Sequence, residues 1–495
     1  MAGIAGTIGQ KNGIVDTILT KMDYRGPHES WKCQDGDVTI GCNELNVRGT
    51  VKEGSHHASN GKKAVVLDGR IYNAETTGMT DAEAVLDVYS RYGVRFAENL
   101  DGDFACIIAV DGRIIAARDR IGIKPLYFGH ASDGTLVFAS EAKALLGISF
   151  DVKEFPAGYT YSPELGFQRF IKNAVDTPEC ETYDEAKKTV RTLLEEAVEK
   201  RMKDQAVDGV LLSGGLDSSL IAFMAAQINP NIECYTVSME EGEDLPLARD
   251  VTEYLGLKHH ILKFGEDEIR DILPTAIYHQ EMYEESCVHG AIANFLAARF
   301  IAGHGGCCVL TGEGADEFFA GYDGQYKQGM NAEERAFIID NLIAVAHNTA
   351  LQRLDRLNAA NSIESRTPFL DAKVFDFSQK IPLSFKLHGE EFNGKWIVRQ
   401  AFEGCLPDHI IYQTKRFFAQ GSGVASIMRA QAEQAVTEEE LAAFNASADN
   451  PYLTSVEELY YYRIFKKTFN HPVFDRLVGR WDPVRPDFFL RRMGT

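Results

Sequence analysis

One heptapeptide limits what this chain can fold into more than any bulk property. Ser213-Gly214-Gly215-Leu216-Asp217-Ser218-Ser219 follows an apolar, strand-like run from Val207 to Leu212 and leads into a helical pattern from Ser218 onward. A buried strand that ends in paired glycines and restarts as a helix is the connection used by parallel sheets. The surrounding pattern agrees. Val190, Leu193, Leu194, Ala197 and Val198 keep helical spacing ahead of the loop. Behind it come strand-like Ile232 to Val237, a helix around Leu247, Val251 and Leu255, and a short strand at His260 to Phe264. Cys307 to Leu310 is strand-like again and ends in a second glycine loop. This alternation predicts an α/β doubly wound parallel sheet with ligands at the carboxyl ends of its strands.

Residues 1 to 170 follow a different grammar. Apolar runs recur at Val38 to Gly41, Ala64 to Leu67, Ala105 to Val110, Arg113 to Ala116 and Leu136 to Ala139. Asp111-Gly112 between two of them is a hairpin signal. Asp81 to Tyr92 is the one helical stretch, with Ala84, Val85, Val88 and Tyr89 on one face. Strands with few helices predict sheets packed under helices. A polar stretch around Pro178, from about 171 to 185, reads as a linker. A chain of 495 residues exceeds what one core supports, so the expected domains are 1–170 and 186–495.

The loop has a chemistry of its own. Paired glycines let backbone approach a phosphate, and a helix amino terminus supplies N–H groups and positive dipole. Ser213, Ser218 and Ser219 add hydroxyls, and Asp217 makes best sense as a ligand of the Mg²⁺ that accompanies pyrophosphate. The Gly-Lys-Ser/Thr of a Walker loop is missing. A net charge of −21 argues against a nucleic-acid surface, which needs excess Lys and Arg. No apolar run is long enough for a membrane helix, and Met1 to Gly6 does not read as a secretory signal. Nine scattered cysteines form no disulfide framework, and no CxxC or spaced Cys/His cluster points to zinc. A reducing cytoplasm is the expected setting.

The heptapeptide resembles the pyrophosphate loop of the N-type ATP pyrophosphatases. Thr311-Gly312-Glu313-Gly314-Ala315-Asp316-Glu317 narrows the resemblance to asparagine synthetases. So do Asp355-Arg356, Glu364-Ser365-Arg366-Thr367-Pro368-Phe369-Leu370-Asp371, and Gln413-Thr414-Lys415-Arg416-Phe417 with Gly421-Ser422-Gly423. A Glu154-Phe155-Pro156-Ala157-Gly158 segment extends it into the first domain. The resemblance implies an α+β Ntn-type sandwich of antiparallel sheets, then an α/β doubly wound synthetase domain with a helical C-terminal part. It also implies ATP and Mg²⁺ as cofactors. A substrate carboxylate would attack the α-phosphorus of ATP, and ammonia would then displace AMP. Residue by residue, Ser213 to Ser219 would bind ATP and pyrophosphate, and Leu211, Val237, Thr311 and Gly312 would line adenine and ribose. Asp217 and Asp316 would hold Mg²⁺, Glu313 would take a proton from the attacking nitrogen, and Lys415 would offset phosphate and oxyanion charge. The β-lactam-forming relatives carry tyrosine in the slot of Glu313, so the glutamate favours an external amine.

Some positions stay open between roles. Glu364-Ser365-Arg366 divides evenly between substrate contact and a structural ion pair, and Asp371 reads better as a helix N-cap than as a ligand. Tyr283-Glu284-Glu285-Ser286 and His289 match a stretch that faces the nucleotide in the family, which often has arginine at the position of His289.

The first domain resembles a class II amidotransferase that has lost its nucleophile. Glutamine-using members begin Met-Cys-Gly-Ile, and this chain has Ala2. The frame is kept in Arg25-Gly26-Pro27, Ile71-Tyr72-Asn73, Asp81, Arg118-Asp119 and Gly122 to Tyr127. The glutamine contacts are not. Glu44 stands where the family clamps the carboxylate with arginine, and Asp68-Gly69-Arg70 stands where it has Asn-Gly-Glu. Two readings follow: a decayed pocket closed by a Glu44–Arg70 ion pair, or a pocket rebuilt for a cationic ligand, with Asp81 still able to meet an ammonium.

The first expectation is therefore an AMP-forming amide synthetase joining a carboxylate, most simply aspartate, to free ammonia. A specialised carboxylate and amine in cofactor or natural-product biosynthesis is the second. A nucleotide-binding paralogue without catalysis is the third. Expected partners are the small-molecule carboxylate and ammonia or amine, with no nucleic acid and no membrane; a homodimer is compatible with the sequence.

Overall fold

The computed structural model describes residues 1–9, 13–47, 55–73, 78–170, 180, 182–239, 242, 244–322, 326, 329–389, 393–414, 424–447 and 451–480. Two six-stranded antiparallel sheets make up the amino-terminal half. One runs, in spatial order, Lys153–Glu154, Tyr127–His130, Leu136–Ala139, Ala2–Ile8, Val38–Glu44, Glu29–Asp35. The other runs Gly166–Arg169, Tyr159–Ser162, Arg113–Arg118, Gly102–Val110, Lys63–Ile71, His57–Ser59. Successive residues of a strand leave opposite faces, and here both faces are covered. Ala64 and Val66 enter the layer between the sheets with Ile4, Ile107 and Phe138. Val65 and Leu67 meet Val85 and Leu86 of the Asp81–Tyr92 helix on the outside. This double burial makes Ala64 to Leu67 read as an unbroken apolar run.

Local chemistry fixes the connections. Thr80 and Glu83 form a reciprocal capping box that starts the Asp81–Tyr92 helix where the sequence places it. Asp111 and Gly112 are both left-handed, at φ 49° and 67°, and close the hairpin between Gly102–Val110 and Arg113–Arg118. The helix Ile14–Thr20 covers the other sheet with Ile18 and Leu19, completing a helix–sheet–sheet–helix sandwich.

The second half opens on the helix Tyr183–Met202, capped by Thr182 and Glu185. It starts inside the stretch expected to be linker; residues 171–179 and 181 lie outside the described set. Five strands then form an all-parallel sheet in the order His259–Phe264, Glu233–Met239, Gly209–Leu211, Cys308–Leu310, Glu364–Arg366. The winding reverses between Gly209–Leu211 and Cys308–Leu310, and a crevice forms at such a switch point. Helices Val424–Ala435, Glu438–Asn445 and Val456–Phe465 make up a helical C-terminal part, sharing a core with Glu285–Gly303. Among the described residues no helix is long and apolar enough to cross a membrane, and all nine cysteines are free thiols.

Buried ion pairs join the halves. Arg25 bonds Asp68 at 2.7 Å and Glu141 at 2.8 Å in the sandwich, and Asp355 at 2.7 Å beyond it. Arg70 reaches Glu364 at 3.2 Å, and Arg120 reaches Asp376 at 2.7 Å. Glu364 also bonds Arg366 at 2.8 Å, so the Glu364-Ser365-Arg366 segment carries a structural ion pair at the edge of the parallel sheet. Asp371 accepts from the Lys373 N–H and caps the helix Ala372–Lys380.

Candidate active site

The cavity at the switch point is lined by both glycine loops. Leu211, Ser213, Gly215, Leu216, Asp217 and Ser218 come from the first, and Thr311, Gly312, Glu313, Gly314 and Asp316 from the second; Val237 closes a side. Two close approaches dictate glycine here. Gly214 has φ 83°, and a Cβ on it would lie 2.5 Å from the Ala248 nitrogen. A Cβ on Gly312 would lie 2.8 Å from both Asp217 Cβ and the Ser218 nitrogen, so the two loops touch only because it has none.

The serines divide their work. Ser213 and Ser218 hydroxyls lie 3.0 Å apart at the start of the helix Leu216–Ile228. Ser219 is fully buried and donates to the Gly215 carbonyl at 2.8 Å. It does not line the cavity, and neither does Gly214, which supplies the turn.

Asp217 and Asp316, from different loops, converge on one ammonium. Lys395 Nζ lies 2.7 Å from Asp217 Oδ2 and 2.7 Å from Asp316 Oδ1, with only 1% of its side chain exposed. Lys395 itself holds a left-handed backbone, φ 56°, rare for a residue with a Cβ. Glu313 faces the same cavity and is paired with Arg353 at 2.8 Å. Hard oxygens from two carboxylates beside a phosphate-type loop suit Mg²⁺, so this donor set fits the ion that the sequence implied.

Glu317 sits behind the pair, buried and accepting from the Tyr322 hydroxyl at 2.7 Å. Burial, then the neighbouring Asp316 and Glu313 carboxylates, push its acid from 4.5 up to about 7. A carboxyl raised in the folded state adds stability that is fully present below the unfolded value. That stability is lost as pH rises through the folded one. Stability of the ligand-free protein is thus expected to fall between about pH 4.5 and about pH 7, and Glu317→Gln to flatten the slope. Denaturant midpoints across that range check it; an unchanged slope in the variant would count against the assignment.

Lys395 and Arg353 were missed in the sequence. Arg353 stands just ahead of the marked Asp355-Arg356 and Lys395 just after Asn393-Gly394, but neither pattern says that the side chain enters the cavity, and the left-handed turn at Lys395 has no signal in a lysine. Lys415, Arg416, Phe417 and Gly421 to Gly423 lie outside the described residues. Their neighbour Gln413 is placed: its side-chain amide donates to the Gly214 carbonyl at 3.0 Å, tying that segment to the first loop. The Tyr283 to His289 stretch departs from expectation. Tyr283 is core against Tyr462 and Phe465, Glu284 caps the following helix, and His289 bonds Glu457. This face of the helix turns to the C-terminal helices, while Asn294 and Ala297 of the same helix reach the cavity.

In the amino-terminal pocket the expected Glu44–Arg70 pair does not form. Arg70 turns to Glu364, which Arg366 also bonds at 2.8 Å, and, at 3.4 Å, to Asp81, joining a buried ion cluster at the domain junction. Asp81 therefore faces a guanidinium. Glu44 bonds His57. Asp68 accepts from the Ala2 N–H at 2.9 Å and from Arg25 at 2.7 Å, while Gly69, at φ 123°, lets the strand pass the Asp103 carbonyl.

Comparison with known proteins agrees with this anatomy. The family described as asparagine synthase matches residues 189–346 and 339–473, and the glutamine amidotransferase domain matches residues 1–155. The glutamine-hydrolyzing asparagine synthetase of Asparagus officinalis is 32% identical over 95% of this chain and 86% of its own length. Asparagine synthetase 3 of Arabidopsis thaliana is 35% identical over 82% and 75%. A probable asparagine synthetase of Dictyostelium discoideum is 30% identical over 94% and 92%. With two paired glycine loops at the switch point and this likeness over most of its length, the chain belongs to the asparagine synthetase family of ATP-dependent carbon–nitrogen ligases.

Proposed function

We propose that the protein adenylates a carboxylate, in the first instance aspartate, and aminates it with free ammonia, releasing AMP and pyrophosphate. The observation that carries the ammonia reading is the amino-terminal pocket. Ala2 offers no thiol for a thioester. Asp68, placed where an amide would donate to an oxyanion, is an acceptor already bonded to Ala2 and Arg25. Cys42, the thiol facing the same layer between the sheets, is held protonated by burial and by Glu44.

On the synthetase side, the first glycine loop and the hydroxyls of Ser213 and Ser218 cradle the phosphates. Leu211, Val237, Thr311 and Gly312 form the wall for the nucleoside. Asp217 and Asp316 hold the Mg²⁺, which when bound offsets charge on the pyrophosphate. Glu313, oriented by Arg353, takes the proton that nitrogen sheds as it attacks the acyl-adenylate, and Lys415 offsets the oxyanion. Domains at 1–170 and 186–495 divide the chain between the retired pocket and this chemistry. The nine free thiols support a reducing, cytoplasmic setting.

Incubation with ATP, Mg²⁺, aspartate and ammonium is expected to yield AMP, pyrophosphate and asparagine in equal amounts, and glutamine is expected not to replace ammonium. Ala2→Cys alone is expected to release no glutamate, because Asp68 and Glu44 remain. Robust glutamate release by the unaltered protein would overturn the ammonia reading. A specialised carboxylate is the second reading; His289, bonded to Glu457 on a face turned away from the cavity, does not bear on the choice. Carboxylate-dependent exchange of pyrophosphate into ATP, run with aspartate and then with other acids, separates the two.

A further inference from the structure

One cluster inside the sandwich is not used by the amide-forming chemistry. Cys42 and Glu44 are two residues apart on one strand, so both leave the same face, and Cys42 lies in the core between the sheets. His57 joins them from the edge strand of the facing sheet, opposite Val66 of that same core. The Cys42 sulfur, a Glu44 oxygen and a His57 ring nitrogen all lie within 4.8 Å of one another. Trp31 stacks on His57 at 4.4 Å and 15°, fixing the ring plane.

The cluster is electrostatically incomplete. Glu44 is fully buried, its Oε1 bonds His57 Nδ1, and its Oε2 has no hydrogen-bond partner among the described residues. A buried carboxylate oxygen without a partner is costly. The thiol beside it offers no charge compensation; burial and the Glu44 carboxylate hold Cys42 well above the usual thiol range. A divalent cation would satisfy all three groups together, taking thiolate, carboxylate and neutral imidazole as ligands, with the displaced protons passing to solvent.

Distance and donor type narrow the ion. Zinc bonds of about 2.0–2.3 Å put tetrahedral ligand atoms about 3.3–3.8 Å apart. Cys42 Sγ lies 3.6 Å from Glu44 Oε1, whereas His57 Nδ1 stands in direct contact with that same oxygen, closer than two ligands of one zinc, so metal binding would part this pair. A mixed sulfur, nitrogen and oxygen set suits zinc, whereas Mg²⁺ and Ca²⁺ take oxygen. His57 is 17% exposed, which gives an entry path. We propose that Cys42, Glu44 and His57 form a three-ligand zinc site, its fourth position left to water, in the pocket beside Ala2. Ala2 is the direct cross-strand partner of Glu44, so the ion would occupy the space next to the missing nucleophile.

The full-length chain is stripped with chelator, reloaded with Zn²⁺ or Co²⁺ alone, and freed of excess metal. The expected result is stoichiometric zinc, a thiolate-to-cobalt charge-transfer band in the Co²⁺ form, and a raised melting temperature on zinc addition. Cys42→Ser and His57→Ala are each expected to lose the band and the bound zinc, with excess Mg²⁺ unable to displace zinc from the unaltered chain. X-ray absorption of the unaltered zinc protein keeps the idea testable if a variant fails to fold: one sulfur per zinc is expected. No stoichiometric zinc, an all-nitrogen-and-oxygen shell, or a band that survives in both variants would overturn the site.

Discussion

Glu313→Gln is expected to leave nucleotide binding nearly unchanged and to slow amide formation by roughly 10²–10⁴-fold, the usual contribution of a positioned general base. Glutamine keeps the shape and can still accept from Arg353, which now lies 2.8 Å from the carboxylate. It cannot take up the proton that ammonia must lose. Adenylation does not need that transfer, so exchange of pyrophosphate into ATP is expected to persist while asparagine and AMP production collapse. The two rates are read from the same protein. Equal loss of both would move Glu313 into the adenylation step, and loss of neither would remove it from the chemistry.

Arg25→Met is expected to destabilise the protein by about 3–5 kcal/mol, the range for leaving a buried ion cluster without one partner. Arg25 is fully buried and serves Asp68, Glu141 and Asp355 at once. Methionine fills much of the space but leaves three carboxylates facing one another, with Lys124 at 3.7 Å from Asp355, Lys143 bonded to Glu141, and Arg356 at 3.4 Å from Asp355 and 3.9 Å from Glu141 as the remaining cations. Asp68 and Glu141 belong to the sandwich, Asp355 to the synthetase half. The loss is therefore expected to fall on the junction, and calorimetry should resolve two transitions in the variant. An unfolding free energy within a few tenths of a kcal/mol of the original, about what a surface change gives, would show that other ion pairs carry the junction.

What could be read in advance follows from how local its cause is. The helix Asp81–Tyr92 has its cap, its acidic first turn and its apolar face within one window, and the structure reproduces it. The Asp111-Gly112 turn and the first glycine loop are equally self-contained. The strand Ala2–Ile8 escaped notice because alanine and glycine are weak strand formers; what places it is pairing with Val38–Glu44 and Leu136–Ala139. Lys395 stands 178 positions from Asp217, and Arg70 stands 294 from Glu364. No window of sequence contains both members of such a pair. The expected Glu44–Arg70 contact failed for the same reason: two opposite charges near a pocket do not say which stronger partner lies across a domain junction.

The ammonium of Lys395 gives the synthetase site a resident counter-ion. While it stands between Asp217 and Asp316 it already cancels much of their repulsion, so a bare metal ion gains little by competing for them. A bound nucleotide would change this balance, because its phosphates would offer the ammonium an alternative anion and so free the two carboxylates. Loading of the proposed Mg²⁺ and of ATP would then be thermodynamically linked, each raising the other's affinity by the same factor. The cell's free magnesium would not fill the site ahead of the nucleotide, and the resting enzyme would wait with its acidic pair neutralised from within.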